Sequence, residues 1–162
     1  VDPRRAKRLA HRIRTAARRN GLPRDVWVST LQRSAAVGRW LARWGWRVHV
    51  DARLGELDFG RWDGLPWSGI AWAEVEAWQA DLLHHAPGGG ESLLALSARV
   101  QAFVADTDAE AALQPGPRLL VGHGGWINAL VHMPMLRAPL DAARWPAPPP
   151  HGALRRWTSA AG

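Results

Sequence analysis

The segment Leu120-Val121-Gly122-His123-Gly124-Gly125-Trp126 sets a histidine at the end of an apolar run and follows it with two glycines. An imidazole placed there can bind an anion, and the glycines let the N–H groups of a following helix approach the same ligand. A histidine at a strand end is also often no more than a hydrogen-bonded piece of structure. In Ser29-Thr30-Leu31-Gln32-Arg33 the apolar run Val26-Trp27-Val28 has just ended, and Arg33 falls in the first turn of the next helix. A guanidinium beside the carboxyl end of a parallel strand suits a phosphate, because its fork donates two bonds and keeps its charge. In a chain so rich in arginine, a solvated surface arginine is the commoner outcome for any one of them. In Leu54-Gly55-Glu56-Leu57-Asp58-Phe59-Gly60-Arg61-Trp62-Asp63-Gly64, the acids Glu56 and Asp58 alternate with apolar residues. One carboxyl group could thereby face a pocket, where a carboxylic acid of raised pKa could give its proton to a departing alkoxide. Pro87-Gly88-Gly89-Gly90-Glu91-Ser92-Leu93, with Arg99 beyond it, reads first as a helix start with an acid in its first turn.

The elements that must carry these residues alternate. Residues 3–19 read as an amphipathic helix with Ala6, Leu9, Ala10, Ile13, Ala16 and Ala17 on one face, stopped by Asn20-Gly21-Leu22-Pro23. Residues 26–28 form a short buried strand, 31–44 a second amphipathic helix, and 47–50 another strand. A helix is expected over 67–83, with Trp72, Val75 and Trp78 sharing a face, and a further helix from Glu91-Ser92 to about residue 112. A strand at 118–122 then leads into a helix over 125–131, and a closing strand is expected at 153–157, after Pro146, Pro148, Pro149 and Pro150. Of the eleven tryptophans, Trp40, Trp44, Trp72 and Trp78 are expected to pack in or against the core. Trp62 and Trp67 flank a glycine-containing loop and could line a pocket, though packing is the simpler role. Alternation of this kind makes a largely parallel sheet with helices on its faces, a three-layer α/β/α sandwich, in one domain over residues 1–162.

Composition removes several classes of function. The 162 residues are 47% hydrophobic and 22% charged, an ordinary globular mix. There is no cysteine, which excludes disulfides, thiolate metal sites and cysteine nucleophiles. No apolar run is long enough to span a bilayer and no signal-peptide pattern opens the chain, so a cytoplasmic location is expected, with no membrane partner. The net charge of +7 suggests nucleic acid until it is located: residues 1–24 hold nine basic residues against Asp2, and the rest is nearly balanced. One helix supplies the whole excess, with Arg4, Arg5, Arg8, Arg12 and Arg19 mostly opposite its apolar face. A solvated helix face explains this more simply than RNA binding, and no nucleic-acid motif follows. His84 and His85 are adjacent and would point apart on a helix, so no metal site is expected.

In their order and content, the Ser-Thr-Leu-Gln-Arg segment, Leu57-Asp58-Phe59-Gly60-Arg61-Trp62-Asp63-Gly64, the Gly-Gly-Glu-Ser helix start and the Val-Gly-His-Gly-Gly strand end resemble the histidine phosphatase superfamily, in its phosphoglycerate mutase-like branch. The resemblance covers roughly residues 26–130. Leu65-Pro66-Trp67 and Ala77-Trp78 make the chain look most like bacterial α-ribazole phosphatases, which remove a phosphate during assembly of the lower ligand of cobalamin. The resemblance implies phosphomonoester hydrolysis through a phosphohistidine, without metal or cofactor and with a small phosphate ester as partner. Carried over residue by residue, Arg33 would bind the phosphoryl oxygens and His123 would stabilise the transferring group. Glu56 would protonate the leaving alcohol and then take a proton from water, and the Gly124 N–H would add a backbone donor.

The family pattern opens with a central strand ending in Arg-His, whose histidine is the nucleophile, and no Arg-His dipeptide occurs in these 162 residues. The strand is therefore expected to lie before Val1, and without it two neighbouring strands would lack a ladder partner. His11, inside the first helix, is no substitute. Smaller departures are Val28 where the family usually has Ser, Thr30 where it has Pro, and Val37-Gly38 where it has Thr-Ala. The alternative to a phosphatase is a non-catalytic member or fragment that keeps an anion pocket. A mutase is disfavoured by the short Gly-rich region and the small size.

Overall fold

The computed structural model describes residues 2–113, 116–133, 136 and 139–158. Among these residues it is a mixed α/β structure with a three-stranded, open, parallel sheet and five α-helices. The chain divides into two compact units: Val1–Gly55, Phe103–His123 and His151–Gly162 make the first, and Glu56–Ala102 with Gly124–Pro150 the second.

The first unit opens with α1 (Pro3–Arg19), started by the Asp2 carboxylate, which accepts from Arg4 N at 2.9 Å, and by a proline at the first helical position. It ends at Asn20, followed by Gly21 at φ 62°, where a left-handed conformation favours glycine. Ala6, Ala10 and Ala17 are buried, and their small side chains let α1 lie close to α2 (Gln32–Arg43). Two cations of α1 do not simply face water: Lys7 sits 4.9 Å above the Trp40 ring and Arg14 4.8 Å above Trp44. Trp40 and Trp44 thus pack partly buried against the core, as their helical spacing suggests.

Strand β1 (Asp25–Val28) lies between β2 (Arg47–Val50) and β3 (Leu119–Val121). Val26 and Val28 are buried against Val37, Leu41 and Ala10 on the side covered by α1 and α2. Alternate residues turn the other way, so Trp27 stacks on His49 at 4.2 Å. Past β2, Arg53 forms a two-pronged bond with Asp51 and reaches Asp106 on α4 (Leu93–Leu113), at 2.7 and 2.5 Å.

The second unit holds α3 (Trp72–Ala80), the first part of α4, and α5 (Gly124–Val131). Trp62, Val75, Leu82, Leu96, Val100, Trp126, Ala129 and Leu140 are buried in it. The expected helix over 67–83 is broken into a 3₁₀ turn, Trp67–Gly69, and the nine-residue α3. Trp72 correspondingly is not a core residue: it is 68% exposed. A helical side chain covers the turn before its own Cα, and at the first helical position there is no such turn. His84 and His85 lie beyond α3 in a turn rather than on a helix, and His84 Nδ1 pairs with Asp81 at 3.1 Å. Residues 153–158 are irregular rather than a strand; Ala153, Leu154, Arg155, Arg156 and Trp157 are all exposed, so alternation had no buried face to serve. No helix among the described residues is long and apolar enough to cross a membrane.

The Arg53 guanidinium, chiefly by its hydrogen bonds, holds the Asp51 carboxyl below its usual value of 3.8. A carboxylate whose folded value is lowered stabilises the fold above the unfolded value, and that stabilisation is lost as pH falls through the folded one. Urea unfolding of Asp51→Asn should therefore show lower stability at neutral pH and a flatter acid limb below about pH 4, converging on the parent. Parallel acid limbs would remove Asp51 from the acid response.

Candidate functional site

Each unit carries its own group of the residues singled out above. In the first, the parallel register sets Val28 opposite Val121, so the chain leaves both strands at one edge of the sheet, Ser29 from β1 and His123 two residues beyond β3. The Ser34 hydroxyl joins the two strand ends. It accepts from Ser29 N at 3.0 Å and donates to Val121 O at 2.8 Å. Ser29 is completely buried and His123 is 6% exposed, with Ser29 Oγ 2.7 Å from His123 Nε2. On the other side of the ring, Arg33 Nε–H donates to His123 Nδ1 at 2.9 Å.

Counting protons fixes the ring's state in this arrangement. Arg33 Nε can only donate, so Nδ1 carries a lone pair and the ring is neutral, with its single proton on Nε2. That proton is donated to Ser29 Oγ, which also accepts from Leu31 N at 3.2 Å. Arg33 is in the first turn of α2, as expected, and its side chain is exposed, so Nδ1 is the nitrogen on the accessible side.

In the second unit, Glu56 is half-buried and its Oε1 accepts from Leu57 N at 3.1 Å and from Trp126 N, in the first turn of α5, at 3.3 Å. Both donors are backbone N–H groups and converge on one carboxyl oxygen. The approach is close because residue 125 has no side chain: a Cβ on Gly125 would lie 2.6 Å from Oε1. Gly124 is the first residue of α5, with Glu56 Oε2 about 3.9 Å from where its Cβ would stand. Asp58, the other acid of the alternating segment, is exposed and accepts from Gly60 N at 2.8 Å.

The sequence did not reveal what holds Glu56. Arg99 makes a two-pronged pair with Glu91, Nε–Oε1 3.0 Å and Nη2–Oε2 2.7 Å, and its Nη2 also donates to the Glu56 carbonyl at 3.2 Å. Glu91 is thus more than the first-turn acid it resembled in sequence. Its loop is pinned beside the Glu56 segment, since Glu91 N donates to Asp58 O at 2.8 Å and a Cβ on Gly90 would collide with the Asp58 carbonyl. The same unit has an open cleft of about 430 Å³ bordered by Arg61, Trp62, Glu74, His85 and Gly88. Glu74 accepts from Trp62 Nε1 at 2.9 Å and from Arg61 at 2.7 Å, and these donors, Trp62 first, hold its carboxyl below the usual range. Trp62 borders this cleft while itself buried, and Trp67 is 63% exposed and stacked on Trp78.

The family model of the histidine phosphatase superfamily, branch 1, matches residues 4–155. The chain belongs to that superfamily. Glucosyl-3-phosphoglycerate phosphatase of Mycobacterium tuberculosis is 38% identical over 120 residues, 65% of this chain and 49% of that protein. The chain spans about half the length of the curated relatives it matches. The structure of a mycobacterial glucosyl-3-phosphoglycerate phosphatase with inorganic phosphate superposes with a TM-score of 0.67 at 31% identity, over 88% of this chain and 70% of that one. An α-ribazole phosphatase from Shigella flexneri shares the fold, with a TM-score of 0.62 at 24% identity over 81% of this chain and 63% of that one.

Gly125→Ala is expected to leave the fold intact, because the Cβ meets the movable end of the Glu56 side chain. The carboxylate must swing away, so the Trp126 amide loses its bond to Glu56 Oε1. Its proton resonance should move upfield and its hydrogen exchange should quicken by roughly tenfold, the value of about one hydrogen bond. An unchanged Trp126 amide would mean that Oε1 does not depend on the missing Cβ.

Proposed function

We propose that the protein is a phosphomonoesterase whose phosphoryl group is received by Arg33 and His123. The observation that carries this reading is the pairing of Arg33, a permanent cation on the accessible side, with a buried histidine held at two strand ends. Membership of a phosphatase superfamily supports it, as does the phosphate held by a structural relative. The group transferred carries negative charge on its equatorial oxygens, and positioning plus charge neutralisation supplies most of the catalysis. Glu56 is the proton donor to the leaving alcohol, and the Gly124 N–H is a further donor to the phosphoryl oxygens. The nucleophile of the family reaction is a histidine following arginine, a pair absent from these residues. A second reading follows from that fact: the chain alone serves as an anion-binding module.

For the substrate, sequence similarity favours a phosphorylated glycosyl glycerate of the kind named for the 38% identical relative. The structural likeness to α-ribazole phosphatases, at 24% identity, speaks for the fold alone; α-ribazole 5′-phosphate is the competing candidate on the motifs Leu65-Pro66-Trp67 and Ala77-Trp78. The intact mass of the natural protein, read against its coding DNA upstream of Val1, separates the two functional readings. An in-frame Arg-His strand predicts hydrolysis, and a native start at Val1 predicts binding without turnover.

Orthophosphate binding to the chain, followed by ³¹P line broadening, should weaken roughly 10- to 100-fold in Arg33→Ala and in His123→Ala, as expected for losing a bond to a charged group. Binding unaffected by both changes would place the anion elsewhere. In the active protein, Glu56→Gln should slow hydrolysis of alkyl phosphates by about 10²- to 10⁴-fold, and that of nitrophenyl phosphate far less. Equal losses for the two classes would sink the proton-donor role.

A further inference from the structure

Ser29 is absent from every role assigned so far, yet it is the buried partner of His123 Nε2. It rests on the phosphate-site reading above, but we propose that Ser29 is a positioning residue that lets His123 change from acceptor to donor when phosphate arrives. The starting state follows from the two contacts: Nδ1 accepts from Arg33 Nε–H at 2.9 Å, so the ring's proton is on Nε2 and is donated to Ser29 Oγ. Phosphate oxygens only accept, so an Nδ1 lone pair facing them would repel. Nε2 cannot serve in its place, because it lies against completely buried Ser29.

A hydroxyl has two acceptor sites and one hydrogen. One acceptor site of Ser29 Oγ is taken by Leu31 N–H at 3.2 Å. The other accepts from Nε2–H in the resting state. When Arg33 turns its guanidinium to the phosphate, Nδ1 gives up the Arg33 bond and the ring can hold its proton there instead. The Ser29 O–H then rotates and donates to the Nε2 lone pair. The ring remains neutral throughout; one proton leaves Nε2 and one arrives at Nδ1 through solvent, so charge and atoms balance. The Nδ1–H so formed donates to a phosphoryl oxygen beside Arg33. Ser34 holds Ser29 in place for both states, since its hydroxyl bonds the Ser29 backbone N–H and the Val121 carbonyl rather than Ser29 Oγ.

The test is nitrogen–proton correlation spectroscopy of ¹⁵N-histidine-labelled protein, titrated with orthophosphate. The parent should show His123 protonated on Nε2 without phosphate and on Nδ1 at saturation. In Ser29→Ala the hydroxyl that would donate to the Nε2 lone pair is gone, so the proton should stay on Nε2 and orthophosphate affinity should fall roughly tenfold. Ser29→Thr keeps the hydroxyl and should restore both the proton shift and the affinity, which a merely space-filling role would not require. Should the alanine variant fail to fold, the parent titration and the threonine variant still decide. A ring that keeps Nε2–H with phosphate bound overturns the proposal, as does an imidazolium protonated on both nitrogens or an alanine variant that behaves like the parent. Failure of the parent to bind orthophosphate at all overturns the phosphate-site reading itself, and the proposal with it.

Discussion

The pairing of β1 with β3 is the constraint on which the first group of site residues depends. Three register pairs, ending at Val28 opposite Val121, bring together chain segments more than 90 residues apart. The ladder does not stop at its last backbone bond. Ser34 continues it by bonding the Ser29 N–H and the Val121 carbonyl, two groups that the strands' ends would otherwise leave open. Because that link is made from the first turn of α2, the same stroke sets the helix start, and with it Arg33, against the histidine. Packing behind the sheet makes this possible. A Cβ on Gly38 would stand 3.0 Å from Val48 and 3.2 Å from Val28, so α2 lies on the strands as closely as a helix bearing a side chain there could not.

The second group depends on close approach in a different way. Glu56 reaches the Trp126 amide of α5 because residue 125 lacks a side chain, and its own backbone is held by Arg99. Arg99 is in turn oriented by both oxygens of Glu91, a partly buried pair whose planar fork leaves one extra N–H for the Glu56 carbonyl. The acid and its support thus come from three sequence segments, and removal of Glu91 would take away the carboxylate that orients the Arg99 fork.

Much of the fold could be read directly because its signals are local. Helix α1 runs from Pro3 to Arg19 and stops before Asn20-Gly21, as expected, and the apolar runs at 26–28, 47–50 and 118–122 became strands within a residue of their predicted ends. The errors come from periodicity without context. Trp72, Val75 and Trp78 keep helical spacing, but the helix begins at Trp72 and so leaves it uncovered. Arg33, Glu56 and His123 stood out because each has chemistry that a flanking pattern presents. Ser29 did not, since a serine after a strand is ordinary, and only the register reveals that it lies behind an imidazole. Arg99 and Glu91, eight residues apart and bridging a loop to a helix, likewise have no local signature. The basic excess of α1 was located correctly, but Lys7 and Arg14 meet tryptophans from a helix that the linear sequence keeps distant.

A second histidine in the same unit shows why a hydroxyl behind the ring matters. His49 Nε2 lies 2.6 Å from Asp25 Oδ1 and its ring stacks on Trp27. A carboxylate can only accept, so it holds a proton on the facing nitrogen whatever the rest of the ring meets. Such a partner behind His123 would keep the proton on Nε2 and leave Nδ1 a lone pair, unless the whole ring became cationic beside Arg33. Serine imposes no such choice, because it accepts and donates with one atom at one distance. It fixes where the ring is while leaving the proton's position to whatever occupies the Nδ1 side. A guanidinium there makes the ring an acceptor, and an anion there makes it a donor. The fold can therefore bury and immobilise His123 without deciding in advance which of the two it must be.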